Sequence, residues 1–284
     1  MIRSDGIFLS GEEEFAVSVQ TTQRSTVSTM AIVRVGVVGA TGRMGQAVCG
    51  AVTDAEGLEL VAAVDVNGSG ATYGVEVSTD LRALAEASCH VVVDFTTAEA
   101  ARATLPFLAL HGIHAVVGTT GFDDDDMTAF ASVFDGSSAN CLVAANFAIS
   151  AVLMMKFAAE AAAFFDTAEI IELHHDEKID APSGTALATA RMMHPGEQGW
   201  ADDLTQLEEP GGVRGGQGPN GVRIHSVRMR GMTAHQEVIL GAQGQTLTIR
   251  QDSYDRTSFM PGVVLACRRI KEASGLVVGL ETLL

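Results

Sequence analysis

Two hydrophobic rhythms divide this chain. From Ile32 to Ala144, short β-branched runs alternate with stretches of helical period. Ile32–Val38, Leu58–Val64, Val91–Phe95, Ile113–Val117 and Cys141–Ala144 read as strands. Helical patterns fall at Met44–Val52 and at roughly residues 79–87, 97–110 and 124–134. Strands alternating with helices predict βαβ units, a parallel sheet and right-handed crossovers. The fold class expected for this part is α/β, a doubly wound Rossmann-like dinucleotide-binding domain.

The rhythm changes after Ala145. An Ala/Met/Phe stretch from Asn146 to about Phe165 predicts a buried or interfacial helix, and Ala168–Leu173 a strand. Residues 194–221 are rich in Gly and Pro, which predicts a mobile loop. Three strand-like runs follow, Val222–Arg230, Gln236–Leu240 and Thr246–Arg250, and their short connections predict antiparallel pairing. This part reads as an α+β domain whose mixed or antiparallel sheet has an edge or face for a partner subunit to cover. A last helix, about Ser258 to Ala273, is expected to return to the first domain. The expected division is 31–145 with 258–284 for the dinucleotide and 146–257 for substrate and oligomerisation, with hinges near Asn146 and residue 257.

Residues 1–30 stand apart. They lack the basic and apolar regions of a secretory signal, Gln20–Thr29 is Ser/Thr-rich and reads as disordered, and Met30 is the expected functional start. No apolar run reaches the ~18 residues that a membrane span needs. Eighteen Lys and Arg against 35 Asp and Glu give a net charge of −17, which argues against nucleic acid or an anionic membrane as partner. A small anionic substrate stays open, because a few local cations can dominate a cleft. Four scattered cysteines without metal spacing fit buried free thiols in a reducing cytoplasm.

Gly39-Ala40-Thr41-Gly42-Arg43-Met44-Gly45 follows a strand and opens a helix. Glycines there let the backbone turn tightly and approach a pyrophosphate seated on the helix N-terminus. The spacing is GxxGxxG, less specific than GxGxxG. Asp65 ends the second strand, where a carboxylate can hold the ribose hydroxyls. It would repel a 2′-phosphate, Val66 offers no compensating cation, and Arg43 compensates only in part. NADH is therefore expected to serve at least as well as NADPH. Gly118-Thr119-Thr120-Gly121 and Ala144-Ala145-Asn146-Phe147 follow strand ends; each either lines the crevice of the sheet or is ordinary turn chemistry.

The densest chemistry runs from Glu172 to Ala186, with His174, His175, Lys178 and the turn Ser183-Gly184-Thr185. Imidazole exchanges a proton near neutrality, lysine supplies a cation, and a helix start offers amides to an anion. Adjacent histidines at a strand end point to opposite sides, so their roles should differ. A metal site with Asp176 or Glu177 is disfavoured, since strand neighbours chelate poorly and Lys178 would repel a cation. Structural histidines are the plainer alternative to acid–base or anion-binding work. The Asp123–Asp126 run reads as a solvated helix start.

The run ELHHDEKIDAPSGTA, with VGVVGATGRMG, VVVDFT, VVGTTGF, AANF and DRTSF, resembles the 4-hydroxy-tetrahydrodipicolinate reductase (dihydrodipicolinate reductase) family of bacterial lysine and diaminopimelate biosynthesis, in its actinobacterial branch. The likeness extends from about Ile32 to Leu284. It implies a cytoplasmic enzyme that uses NADH or NADPH to reduce a small dicarboxylate with loss of water, and that assembles as a homotetramer through its substrate-domain sheets. It also implies His174 and Lys178 as proton donors, and His175, Ser183, Gly184 and Thr185 as substrate contacts. Gly39 to Met44, Asp65, Gly118, Thr119, Thr120 and Ala144 to Phe147 would hold the cofactor, and no metal is implied. Arg228 and Arg256 would add to anion binding or to the tetramer. Gln245 and Gln251 depart from the family pattern, where Glu and His are frequent, and each removes a potential charge. Another two-domain dehydrogenase, or a nucleotide-sensing protein with a retained cleft, are the rival expectations.

Overall fold

The computed structural model describes residues 31–68 and 70–284, so the expectations for residues 1–30 fall outside it. Among the described residues, β1 (Val33–Val38), β2 (Leu58–Val64), β5 (Val91–Asp94), β6 (His114–Val117) and β7 (Cys141–Val143) are the strands that the hydrophobic runs predict. The helices α1 (Arg43–Asp54), α2 (Arg82–Glu86), α3 (Ala98–Leu110) and α4 (Asp124–Asp135) separate them. Two short strands, β3 (Ala71–Thr72) and β4 (Val75–Ser78), extend one edge, and β13 (Leu276–Val278) closes the other by pairing parallel with β7. The eight strands run in the order β13-β7-β6-β5-β1-β2-β4-β3, parallel except for the β3–β4 pair. Strands of three or four residues carry little periodicity, so β3, β4 and β13 left no signal.

Two apolar layers sandwich this sheet. On one face Val48, Cys49 and Val52 of α1 pack with strand residues. They share that layer with Val263, Ala266 and Cys267 of α7 (Met260–Arg269). On the other, Leu84, Leu105, Leu108, Phe130 and Phe134 of α2, α3 and α4 cover Val92, Ala115 and Val117. Burying strands on both faces is what makes their hydrophobicity continuous rather than alternating. All four cysteines are buried and unpaired.

The chain then forms α5 (Ile149–Ala162), β8 (Thr167–His174), α6 (Gly184–Met192), β9 (Gly216–Gln217), β10 (Arg223–Arg228), β11 (Ala234–Ala242) and β12 (Gln245–Ser253). Pairing departs from the expected antiparallel succession. β11 and β12 form an antiparallel hairpin, but β10 lies parallel to β8, and β11 pairs antiparallel with the other side of β8. The order is β12-β11-β8-β10-β9. The crossover through α6 makes this possible, because a long connection permits parallel return where a tight turn cannot. α5 begins at Ile149 rather than at Asn146, because Asn146 Oδ1 accepts from the Ala148 amide at 2.8 Å and turns the chain just before the helix.

Met154 and Ala158 of α5 and Ala186 and Ala190 of α6 pack on Ile170, Ile224, Val238 and Leu240, which forms a third apolar cluster. The C-terminal helix returns to the first sheet as expected, shortened to α7 and flanked by 3-10 turns at Arg256–Phe259 and Ile270–Glu272. It packs tightly at Gly262, where a Cβ would lie 2.0 Å from the Phe147 carbonyl oxygen. Gly262→Ala should therefore cost about 1–3 kcal/mol, as overpacking does. The check is a lower urea midpoint at unchanged m value.

Candidate active site

The glycine loop is built for close contact. Gly39 has φ +74°, a conformation that side chains disfavour, and a Cβ on Gly45 would sit 2.0 Å from the Gly39 carbonyl oxygen. Gly42 caps α1 without any side-chain hydrogen bond, so the helix start is left for an anion. Asp65, 7% exposed, stands at the end of β2. Its Oδ2 accepts from the Thr41 amide at 3.0 Å and the Thr41 hydroxyl at 2.7 Å, and its Oδ1 from the Asn67 amide at 3.0 Å. Burial pushes its pKa up, but the donors from Asn67 and Thr41 outweigh that and hold it below the ordinary carboxylate value. Beside it lies an apolar cavity of about 300 Å³ lined by Gly39, Val64, Asp65, Val66 and Thr97 among others. A turn that admits a pyrophosphate, an ionised acceptor and an apolar slot together fit a dinucleotide.

At the neighbouring strand ends Thr119 is buried and its hydroxyl bonds Asp94 Oδ1 at 3.1 Å. Thr96 donates its amide at 2.8 Å and its hydroxyl at 2.6 Å to the same oxygen. A Cβ on Gly118 would strike the Phe95 ring at 1.9 Å, and that ring packs against Phe147 with centroids 5.4 Å apart. Thr120 and Ala145 are exposed, while Ala144 and Phe147 are buried.

The second sheet holds the other half. Period-2 alternation puts Glu172 and His174 on the same face of β8. Glu172 is 0% exposed in its side chain, and four donors fill its carboxylate. His174 Nδ1 meets Oε2 at 2.6 Å, and Arg228 forks onto both oxygens at 2.8 Å each. The Ser183 amide reaches Oε1 at 3.2 Å. Burial pushes the Glu172 pKa up, yet the bonds from His174 and Arg228 overcome this and bring it down to about 2. An ionised Glu172 requires His174 to carry its proton on Nδ1, which leaves Nε2 as the other ring nitrogen for chemistry. Arg228 Nη2 also binds the Asp180 carbonyl at 2.7 Å, anchoring the loop that leads to α6. Ser183 caps α6 by accepting from the Ala186 amide at 3.1 Å.

His174, Ser183 and Thr185 line one cavity of about 150 Å³ together with Ala145 and Asn146 from the nucleotide side. Asn146 Nδ2 bonds Thr185 Oγ1 at 3.3 Å across the seam. Gly184, exposed at the first turn of α6, adjoins it. His175 lies past the end of β8 and is exposed, and Lys178 pairs with Asp180 at 2.7 Å; neither lines this cavity. Arg43 is exposed beside the glycine loop, and Arg256 sits in an exposed turn. The rest of the wall is Ala234, His235, Gln236, Gln251, Ser253 and Phe259, of which the sequence had singled out only Gln251. Gln251 Nε2 bonds Ser253 Oγ at 2.6 Å inside the cavity wall, whereas Gln245 opens β12 in an exposed position. A polar residue inside a buried strand face was the available signal for Gln236. Among the described residues no group of three or more His, Cys, Asp or Glu is arranged to hold a metal, and no helix is long and apolar enough to cross a membrane.

The glycine loop and the cavity at His174 fit a class, an oxidoreductase with a dinucleotide-binding domain. The chain belongs to the dihydrodipicolinate reductase family, whose N-terminus and C-terminus models match residues 33–147 and 150–284. The 4-hydroxy-tetrahydrodipicolinate reductase of Corynebacterium aurimucosum is 49% identical over 252 residues, 88% of this chain and 97% of that one. That of Nocardia farcinica is 49% identical over 257 residues, 89% and 98% of the two chains. The dipicolinate-bound dihydrodipicolinate reductase from Paenisporosarcina sp. TG-14 superposes with a TM-score of 0.82 at 39% identity, covering 89% of this chain and all of that one. A myo-inositol dehydrogenase from Corynebacterium glutamicum shares the fold alone, at TM-score 0.59 and 15% identity.

Glu172→Gln should cost about 3–5 kcal/mol, because it leaves Arg228 without its charge partner. The folded pKa of about 2 lies below the ordinary 4.5, so the ionised form adds stability above 4.5 that fades as pH falls toward 2. Urea unfolding at a series of pH values should show the gap between native protein and variant shrinking across that window.

Proposed function

We propose that this chain reduces 4-hydroxy-tetrahydrodipicolinate to tetrahydrodipicolinate, with loss of water, using NADH or NADPH in diaminopimelate and lysine biosynthesis. The observation that carries this reading is His174, fixed by an ionised Glu172 and turned to a cavity that also holds the start of α6. Gly39 to Met44, Asp65, Gly118 to Thr120 and Ala144 to Phe147 would hold the nucleotide, which when bound would supply a hydride. His174 delivers the balancing proton from Nε2, and Glu172 accepts the Nδ1–H bond that stabilises the charged ring. The first turn of α6, from Ser183 through Gly184 to Thr185, grips one substrate carboxylate with amides and hydroxyls. Lys178 acts as a second proton donor and His175 as a substrate contact once the halves close about hinges near Asn146 and residue 257. In this assignment residues 31–145 with 258–284 bind the dinucleotide, and 146–257 bind substrate and build a homotetramer.

The tetramer reading rests on the sheet face turned away from α5 and α6. There Ile171, Leu173, Val227 and Ile239 stay partly exposed, and most of β12 is exposed as well. A cytoplasmic location fits four buried, unpaired thiols.

In an assay with enzymatically generated substrate, nucleotide oxidation should depend on that substrate, and oxidation that ignores it would refute the reading. His174→Gln should lower turnover by roughly 10²–10⁴. NADH should match or exceed NADPH in kcat/KM, because an ionised Asp65 repels a 2′-phosphate. A hundredfold preference for NADPH would overturn that expectation.

A further inference from the structure

Gln236 lines the cavity that contains His174, Ser183 and Thr185, and is 2% exposed. Its Nε2 donates to Thr189 Oγ1 at 2.8 Å, while its Oε1 is buried without a partner. Two other buried side-chain atoms among the described residues lack partners, Asp94 Oδ2 and Arg228 Nε, but neither of those residues lines this cavity.

The orientation of the amide follows from its neighbours. Thr189 spends its one hydroxyl hydrogen on the Thr185 carbonyl at 2.8 Å, one turn back in α6. Its oxygen can then only accept, so Gln236 must turn its NH₂ toward Thr189 and its carbonyl the other way. The helix thus fixes Oε1 as a buried acceptor on a residue that lines the cavity. A buried acceptor without a donor costs free energy, and a ligand that brings an O–H or N–H recovers it. A carboxylate brings neither, and would be repelled.

We infer that Gln236 Oε1 accepts a hydrogen bond from the 4-hydroxyl of the substrate, and so distinguishes the hydroxylated ring from diacids that lack the group. This rests on the reductase reading above. In the imine form of that substrate, both carboxylates and the ring nitrogen are acceptors, and the hydroxyl is its one donor. His174 belongs to the neighbouring register row on the same sheet face, so the group that leaves as water is bound near the proton donor.

The test compares Gln236→Met, which keeps side-chain length and removes the acceptor, with native enzyme toward two ligands. One is the generated hydroxylated substrate, followed by KM and kcat. The other is dipicolinate, which lacks both hydroxyl and N–H, followed by calorimetric Kd in the presence of NADH. Substrate KM should rise roughly tenfold or more while the dipicolinate Kd changes less than about twofold. Equal losses on both ligands, or no change on either, would overturn the inference and leave Gln236 a packing residue. Thr189→Val provides a second route if the first variant does not fold, since it releases the amide to rotate. It should weaken substrate selectively, and parallel effects on both ligands count against the inference. Failure of the native enzyme to turn over the substrate would instead defeat the functional reading itself.

Discussion

The buried carboxylate of Glu172 is the constraint on which the rest of this site depends. An ionised side chain with no solvent contact is a large liability unless its lone pairs are filled. Here they are, by an imidazole, a forked guanidinium and a backbone amide drawn from β8, β10 and the start of α6. Each donor is also a piece of the site. The same bonds that make the charge tolerable set the His174 tautomer, place the α6 N-terminus and, through Arg228, hold the loop at Asp180. Positioning and stability are therefore one problem with one solution, and any change at residue 172 is felt at all three elements.

The sheet beneath shows how a core becomes a site without changing its backbone. Cross-strand pairing aligns Ile224, Ile170, Val238 and Ile249 in one row, all packed in the apolar cluster under α5 and α6. Two residues along, the row is Ser226, Glu172, Gln236 and Gln251, all polar and, but for Ser226, still buried. Two further along it is Arg228, His174, Ala234 and Ser253, where the cavity opens. Register is rigid because a one-residue slip would move every one of these side chains to the opposite face. Chemistry is thus placed by the strand pairing that buries the apolar end.

How much of this was legible depends on whether the signal was local. The parallel sheet was, because buried strands and helical periods are written in consecutive residues, and so was the glycine loop. Glu172 was half legible: it opens the conspicuous run, and its two-residue spacing from His174 already puts both on one face. Gln236 and Ser253 were not, and Arg228 was named only through the family resemblance and not as the partner of Glu172, because their place depends on β10 and β11 flanking β8 on opposite sides. Short connections had argued for antiparallel pairing, which holds for β11 and β12, while the crossover through α6 lays β10 parallel to β8. Gln251 attracted notice as a departure from family pattern, yet its partner Gln236 and its place in the cavity wall come from register alone. His175 and Lys178 show the converse. Proximity in sequence to His174 does not put them on the cavity wall, because the strand ends at His174 and the loop turns them elsewhere.

The seam between the halves is held by residues that serve both. Asn146 follows the end of β7, on the nucleotide side, and its Oδ1 is committed to the Ala148 amide. Its Nδ2 must therefore point away, and it does so toward Thr185 at the start of α6. One residue on, Phe147 packs against Phe95 beside Gly118, while its carbonyl abuts Gly262 of α7. The 146–147 pair thus meets Phe95, the start of α6 and the returning C-terminal helix at once. A shift of the chain here moves the start of α6 and the ends of the first sheet's strands together. A reaction between two bound molecules demands that kind of shared reference, since it tolerates little error in the distance between them.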